Sequence, residues 1–156
     1  STFVVASDAD SSRALLIVWL DSLATGAGKV ARWLRAPNEI ARDLAAVAPV
    51  EEAAADRDLA TLRPSEWHPL LAGACVDILP TLGARHGAPM YAEILGHWRR
   101  FVTLRPFVTG DDLHDLGHAP GPDYSRVLRA TFDAQLDGQL IDRERALAFA
   151  ASQMRA

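Results

Sequence analysis

Residues 108–122, VTGDDLHDLGHAPGP, hold three aspartates, two histidines four positions apart, three glycines and two prolines. Three chemistries use such residue types. His114, Asp115 and His118 supply nitrogen and oxygen donors for a metal ion. Glycines at a bend expose backbone N–H groups that can hold a phosphate. The same letters also suit an ordinary capped helical hairpin.

The elements that must position these residues decide among them. Thr109, with Asp112 three residues on, is an acidic form of the capping box, and Asp111 lies at the positive end of the same short helix. Leu113 and Leu116 give that helix an apolar side, and Gly117 can end it in a left-handed conformation. Gly121 and Pro122 open a second helix, in which Tyr124, Val127, Leu128, Thr131, Phe132 and Leu136 share a face until Gly138. Asp142 caps a third helix, RERALAFAASQM, with Ala146, Leu147, Phe149, Ala150 and Met154 on its buried side. Helical periodicity also dominates the preceding residues. The pattern predicts helices over about 11–24, 28–36 and 39–48, the last capped by Asn38 and ended by Pro49. An acidic helix over 50–62 follows, then an apolar stretch over 65–82 interrupted by Pro69 and Pro80. A helix over 88–104 has Pro89 in its first turn and Tyr91, Ile94, Leu95, Trp98, Phe101 and Val102 at helical spacing. No strand is expected, so the fold class is all-α: a multihelical body over 1–104 and a small helical tail over 105–156, divided where glycine and proline become dense.

Composition bounds the partners. The chain has 156 residues, 49% of them hydrophobic, enough for a core without staples. The single Cys75 excludes a disulfide framework, and the expected setting is a reducing cytoplasm. Neither a leader nor an apolar run long enough for a membrane span is evident, so no membrane partner is expected. A net charge of −4 argues against coating nucleic acid by bulk charge, although a local basic face remains open. Fifteen arginines stand against one lysine, Lys29, so anion recognition would use planar guanidinium groups.

In order and spacing, these motifs resemble the carboxy-terminal part of bacterial class II tRNA nucleotidyltransferases, the CCA-adding enzymes and their poly(A) polymerase relatives. That family's tail has a Thr-Gly-x-Asp-Leu start and a Leu-Gly-x-x-Pro-Gly-Pro bend. A helix ending in Leu-x-Gly then precedes a Thr/Asp-Arg-Glu-x-Ala-Leu helix. Thr109, Gly110, Asp112, Leu113, Leu116, Gly117, Pro120, Gly121 and Pro122 match the first two elements, and Leu136, Gly138, Arg143, Glu144, Ala146 and Leu147 the others. Ser125 stands where the family commonly has a small glycine. The upstream ARWLRAPNEIARDLAAV is similar to the family's body.

The resemblance implies a transferase part that grips tRNA or another structured RNA and positions its 3′ end. Recognition of this kind reads backbone shape. The residues implied as RNA contacts are Arg99, Arg100, Arg105, Thr109, Gly110, Gly121, Arg126 and Arg129. Family members catalyse with a head domain bearing a Gly-Ser turn and an Asp-x-Asp pair for two magnesium ions. This chain has no such head, and Asp8, Asp10 and Arg13 lack the sheet needed to fix them. The chain is therefore expected to carry no catalytic residue, metal or cofactor of its own. Magnesium and CTP or ATP belong to a head domain, a possible partner from the same protein.

Two other readings use the same residues. The His114-Asp115 doublet resembles that of the HD metal phosphohydrolases, with His68 or His86 and Asp133 or Asp137 completing a site. An all-helical protein-interaction module without RNA affinity would suit the negative charge. TGAGKV lacks the Ser or Thr and the glycine spacing of a P-loop and reads as a helix-to-helix turn. Trp19, Trp33, Trp67 and Trp98 read as core rather than base-stacking platforms, and Cys75 as a small buried hydrophobe.

Overall fold

A computed structural model describes residues 38–118 and 121–154, together with Val18. The helices expected over 11–24, Val18 apart, and over 28–36 lie outside the described residues. Regular structure among the described residues is entirely helical, and the fold is all-α. These residues form two compact units, one of 38–62 with 68–102, the other of 63–67 with 103–154.

The first unit opens with α1 (Asn38–Ala45) and α2 (Ala48–Asp56), separated by a turn at 46–47. Pro49 was expected to end a helix, but it begins one. It sits in the first turn of α2, where a missing N–H removes no hydrogen bond. Asp58 then caps a 3-10 turn, Leu59–Thr61, by accepting the Ala60 N–H at 3.0 Å. Pro80 likewise opens rather than interrupts: α4 (Leu79–His86) follows a 3-10 turn, Val76–Ile78, with the proline in its first turn. Gly87 ends α4 at φ +87°, and α5 (Ala88–Thr103) starts at once. Val50, Leu71, Ile78, Leu79, Leu82 and Ile94 are buried in this unit. Trp98 buries its ring edge by donating from Nε1 to the Ala74 carbonyl at 2.9 Å. Val102, placed by its spacing on the apolar face of α5, is half exposed.

The second unit contains α6 (Gly110–Asp115), α7 (Pro122–Leu136) and α8 (Arg143–Met154). Val108, Leu113, Val127, Ala134, Leu140, Ala146 and Ala150 form its core, with Phe107, Tyr124, Leu128, Leu147, Phe149 and Met154 packed around them. Ala134 of α7 and Ala146 and Ala150 of α8 are buried together in this core. Gly138 turns the chain between the two helices at φ +74°, a conformation that costs an L residue about 1 kcal/mol or more. Leu116 does not join the apolar side assigned to it. It follows the last turn of α6, 45% exposed.

The sequence pattern did not anticipate that residues 63–67 would join this unit. Trp67 is fully buried, and the start of α3 (Pro64–Leu71) is capped by a residue seventy-two positions away. Asp137, just past α7, accepts both the backbone N–H and the hydroxyl of Ser65 at 2.9 Å. It also pairs with Arg63 at 3.4 Å. Glu66 accepts the Arg63 N–H at 3.0 Å, so the positive end of α3 faces two carboxylates.

Asp137→Ala therefore leaves the Ser65 N–H and hydroxyl without their acceptor. The expected loss is about 1–3 kcal/mol, read from chemical denaturation at neutral pH. Asp137→Asn keeps one acceptor and is expected to lose less.

Candidate functional site

Local chemistry explains why residues 108–122 fold as they do. The Asp112 carboxylate accepts the Thr109 N–H at 2.8 Å and the Thr109 hydroxyl at 2.9 Å, closing a capping box at the start of α6. Arg143, at the start of α8, pairs with the other oxygen of Asp112. Backbone hydrogen bonds from Thr109 are the main reason the Asp112 carboxyl titrates below its ordinary range, with the Arg143 charge adding to them. Gly117 closes α6 at φ +84°: its own N–H bonds to the His114 carbonyl, and the His118 N–H to the Leu113 carbonyl. Tyr124 then donates its hydroxyl to the His118 carbonyl and ties α7 back to the end of α6. Gly121 precedes α7 with φ near −170°, extended backbone open to any residue, and Pro122 is its first helical residue.

The residues implied as RNA contacts fall into three kinds. Arg99 and Arg100 are exposed on α5, in the first unit. Arg126 and Arg129 are exposed on α7, each beside a carboxylate: Arg126 is 3.3 Å from Asp123, and Arg129 is 4.0 Å from Asp133. Arg126 also donates to the Gln153 carbonyl at 3.3 Å and so helps close the end of α8. Arg105, Thr109, Gly110 and Gly121 lie at helix starts: Arg105 and Thr109 before α6, Gly110 as its first residue and Gly121 before α7. A Cβ on Gly110 would meet nothing within 4 Å. Neither Gly110 nor Gly121 is required to be glycine by a positive φ.

Charge on the second unit is balanced toward the negative, with six described arginines and nine carboxylates. Arg63, Arg126, Arg129, Arg143 and Arg145 each lie beside an aspartate. The pairs of Arg126, Arg129 and Arg145 are exposed on both sides and worth about 0–1 kcal/mol, so exchanging their carboxylate for a phosphate costs little, whereas Asp112 and Asp137 are largely buried. Arg105 differs, since among the described residues its guanidinium has no carboxylate partner.

The metal-site arrangement is not assembled. Gly117 ends the helix between His114 and His118, so the two imidazoles do not share a helix face. His114 and Asp115 are 3.9 Å apart with side chains 72% and 84% exposed. His86 bonds to Glu51 at 2.9 Å, and His68 lies edge-on to Phe101. Asp133 and Asp137 are paired with Arg129 and with Arg63 and Ser65. Among the described residues no three His, Cys, Asp or Glu side chains are grouped as a metal would need. Burial pushes the Cys75 thiol above its ordinary range, which disfavours the reactive thiolate. No described helix is long and apolar enough to cross a membrane.

Sequence reasoning missed two positions that shape this unit. Gln135 is buried between Ala134 and Leu136 on α7, accepting the Phe107 N–H and donating to the Arg105 carbonyl, both at 2.8 Å. Asp137 is the other, named from the sequence only as a metal ligand and found instead as the cap of α3. A polar residue on the buried side of a helical pattern was the available signal in the first case. No family model, curated protein or solved structure matches the chain.

The capping box makes a prediction about acid stability. The folded-state pKa of Asp112 is depressed, so its contribution is present above the ordinary carboxylate range and is lost as pH falls through the lowered value. Asp112→Asn is expected to lower the melting temperature at pH 7 and to approach wild type as pH falls through the lowered Asp112 value and that carboxylate is neutralised. A difference between the two proteins that stays the same across pH would contradict this account.

Proposed function

We propose that this chain is the RNA-gripping helical part of a tRNA nucleotidyltransferase-type protein, CCA-adding or poly(A) polymerase-like. In this reading it holds tRNA or a similarly structured RNA by its backbone, in the cytoplasm, while nucleotidyl transfer belongs to a head domain outside the chain. One observation carries the proposal. The ordered motif from Thr109 to Leu147, by which the chain resembles that family, lies within one compact unit: a capped short helix, a left-handed glycine turn, a proline-started helix and a closing helix. Leu113, Leu136 and Ala146 are buried, and Gly117 and Gly138 take positive φ. Matched positions therefore make the unit fold, and the exposed arginines ride on it. Gly110 and Gly121 add support. Their own backbone does not demand glycine, so close approach by an external strand supplies a reason for the missing side chain.

A second reading has its own support in two exposed apolar side chains, Leu116 and Ile141, beside the unit's negative balance. On that reading the unit docks protein, and RNA binding is absent.

A tRNA titration over a salt series separates them. Phosphate contacts predict affinity that falls linearly on a log–log plot, with a slope of roughly −0.7 to −0.9 per contact. Absence of binding at low salt removes the RNA reading. Arg129→Ala is expected to reduce the slope by about one contact and leave melting unchanged. Arg126→Ala is expected to lower melting as well, because it also removes the bond to Gln153. Gly110→Ala is expected to leave stability within about 1 kcal/mol of wild type, while weakening RNA binding by crowding the approaching strand. Unchanged RNA affinity in Gly110→Ala would remove the backbone approach at that residue.

A further inference from the structure

We infer that Arg105 is the fixed phosphodiester anchor of the second unit and that Gln135 is its positioning residue. The inference deepens the RNA reading and rests on it.

Three observations meet at Arg105. Its guanidinium is exposed and, among the described residues of the unit, it alone lacks a carboxylate partner. The other five arginines already have their charge partly neutralised, so an approaching phosphate must displace an aspartate from them. At Arg105 it displaces only water. Second, the backbone beneath this side chain is fixed although residues 104–109 have no helix or strand to hold them. The buried Gln135 carboxamide takes the place of a neighbouring strand, donating to the Arg105 carbonyl and accepting the Phe107 N–H, each at 2.8 Å. Third, Pro106 fixes its own φ and restricts the preceding arginine to extended backbone. The anchor thus loses little backbone entropy when it binds, and a planar guanidinium suits two oxygens of one phosphate. An arginine serving only solubility would need neither the buried amide nor the proline.

The test uses the full 156-residue chain, with a tRNA transcript and inorganic polyphosphate as separate probes. Arg105→Ala is expected to weaken tRNA binding roughly tenfold and to flatten the salt slope by about one contact. Gln135→Glu keeps an acceptor for Phe107 but loses the donor to Arg105, and is expected to produce a similar loss. Combined with Arg105→Ala, it should weaken binding little further. Since a buried glutamate can impair folding, Pro106→Ala loosens the same loop from its exposed side and is expected to cost a few-fold in affinity with melting nearly unchanged. Variants at 105, 106 and 135 that all keep wild-type affinity and slope would overturn the anchor while leaving the RNA reading standing. Polyphosphate binding that depends on Arg105, without any tRNA binding, would uphold the anchor and overturn the RNA reading. A chain that binds neither probe at low salt overturns both.

Discussion

Irregular backbone inside a folded unit must find hydrogen-bond partners, because a buried N–H or C=O left unmade costs about 1–3 kcal/mol. The last turn of α7 and the residue just past it meet this demand twice. Gln135 satisfies both edges of the segment leading into α6, and Asp137 satisfies the first turn of α3. Gly138, immediately after, turns the chain so that α8 packs back on α7. Four consecutive residues, Gln135 to Gly138, thus join the segment before the unit's first helix, the isolated segment 63–67 and the closing helix. Leu136, the remaining one, is wholly buried. Disturbing this turn loosens three places at once.

Much of the second unit was legible in its sequence because the determinants there are local. The Thr109–Asp112 box, the glycines at 117 and 138, Pro122 and the Asp142 cap each act within a few residues, and all are observed. Interactions between residues distant in sequence were not legible. Nothing near Ser65 indicates that Asp137 will cap its helix, and although helical spacing puts Gln135 on the buried side of α7, nothing local says which backbone groups its amide will bond. The errors at Pro49 and Pro80 have a different cause. Proline disfavours the helical interior but suits the first turn, and a single sequence does not say on which side of the break it falls. Leu116 and Val102 were assigned to buried faces by periodicity alone, and periodicity fails at helix ends, where the partner surface runs out.

Residues for the candidate site could be named from the sequence but not ranked. A count of arginines could name Arg99, Arg100, Arg105, Arg126 and Arg129, but it could not rank them. Ranking depends on what each guanidinium already touches. Arg126 spans Asp123 and the end of α8, Arg129 rests loosely on Asp133, and Arg105 stands apart on a clamped loop. The histidines show the converse. His114 and His118 are correctly spaced for a metal only if one helix carries both, and the glycine between them ends that helix.

On the proposed RNA reading, a unit with more carboxylates than arginines would bind anions by exchange and not by accumulated field. Each exposed ion pair contributes little to folding, so its arginine can change partners at small cost, whereas its aspartate keeps other anions from binding without geometric fit. Phosphates spaced along a strand satisfy several such exchanges together; isolated ions satisfy one. On that reading, selectivity for a polymer over free phosphate would follow from balance rather than from positive charge. An arginine already held in place and free of a carboxylate would let the first contact form before any exchange is required, and the paired arginines on α7 would follow as the strand settles.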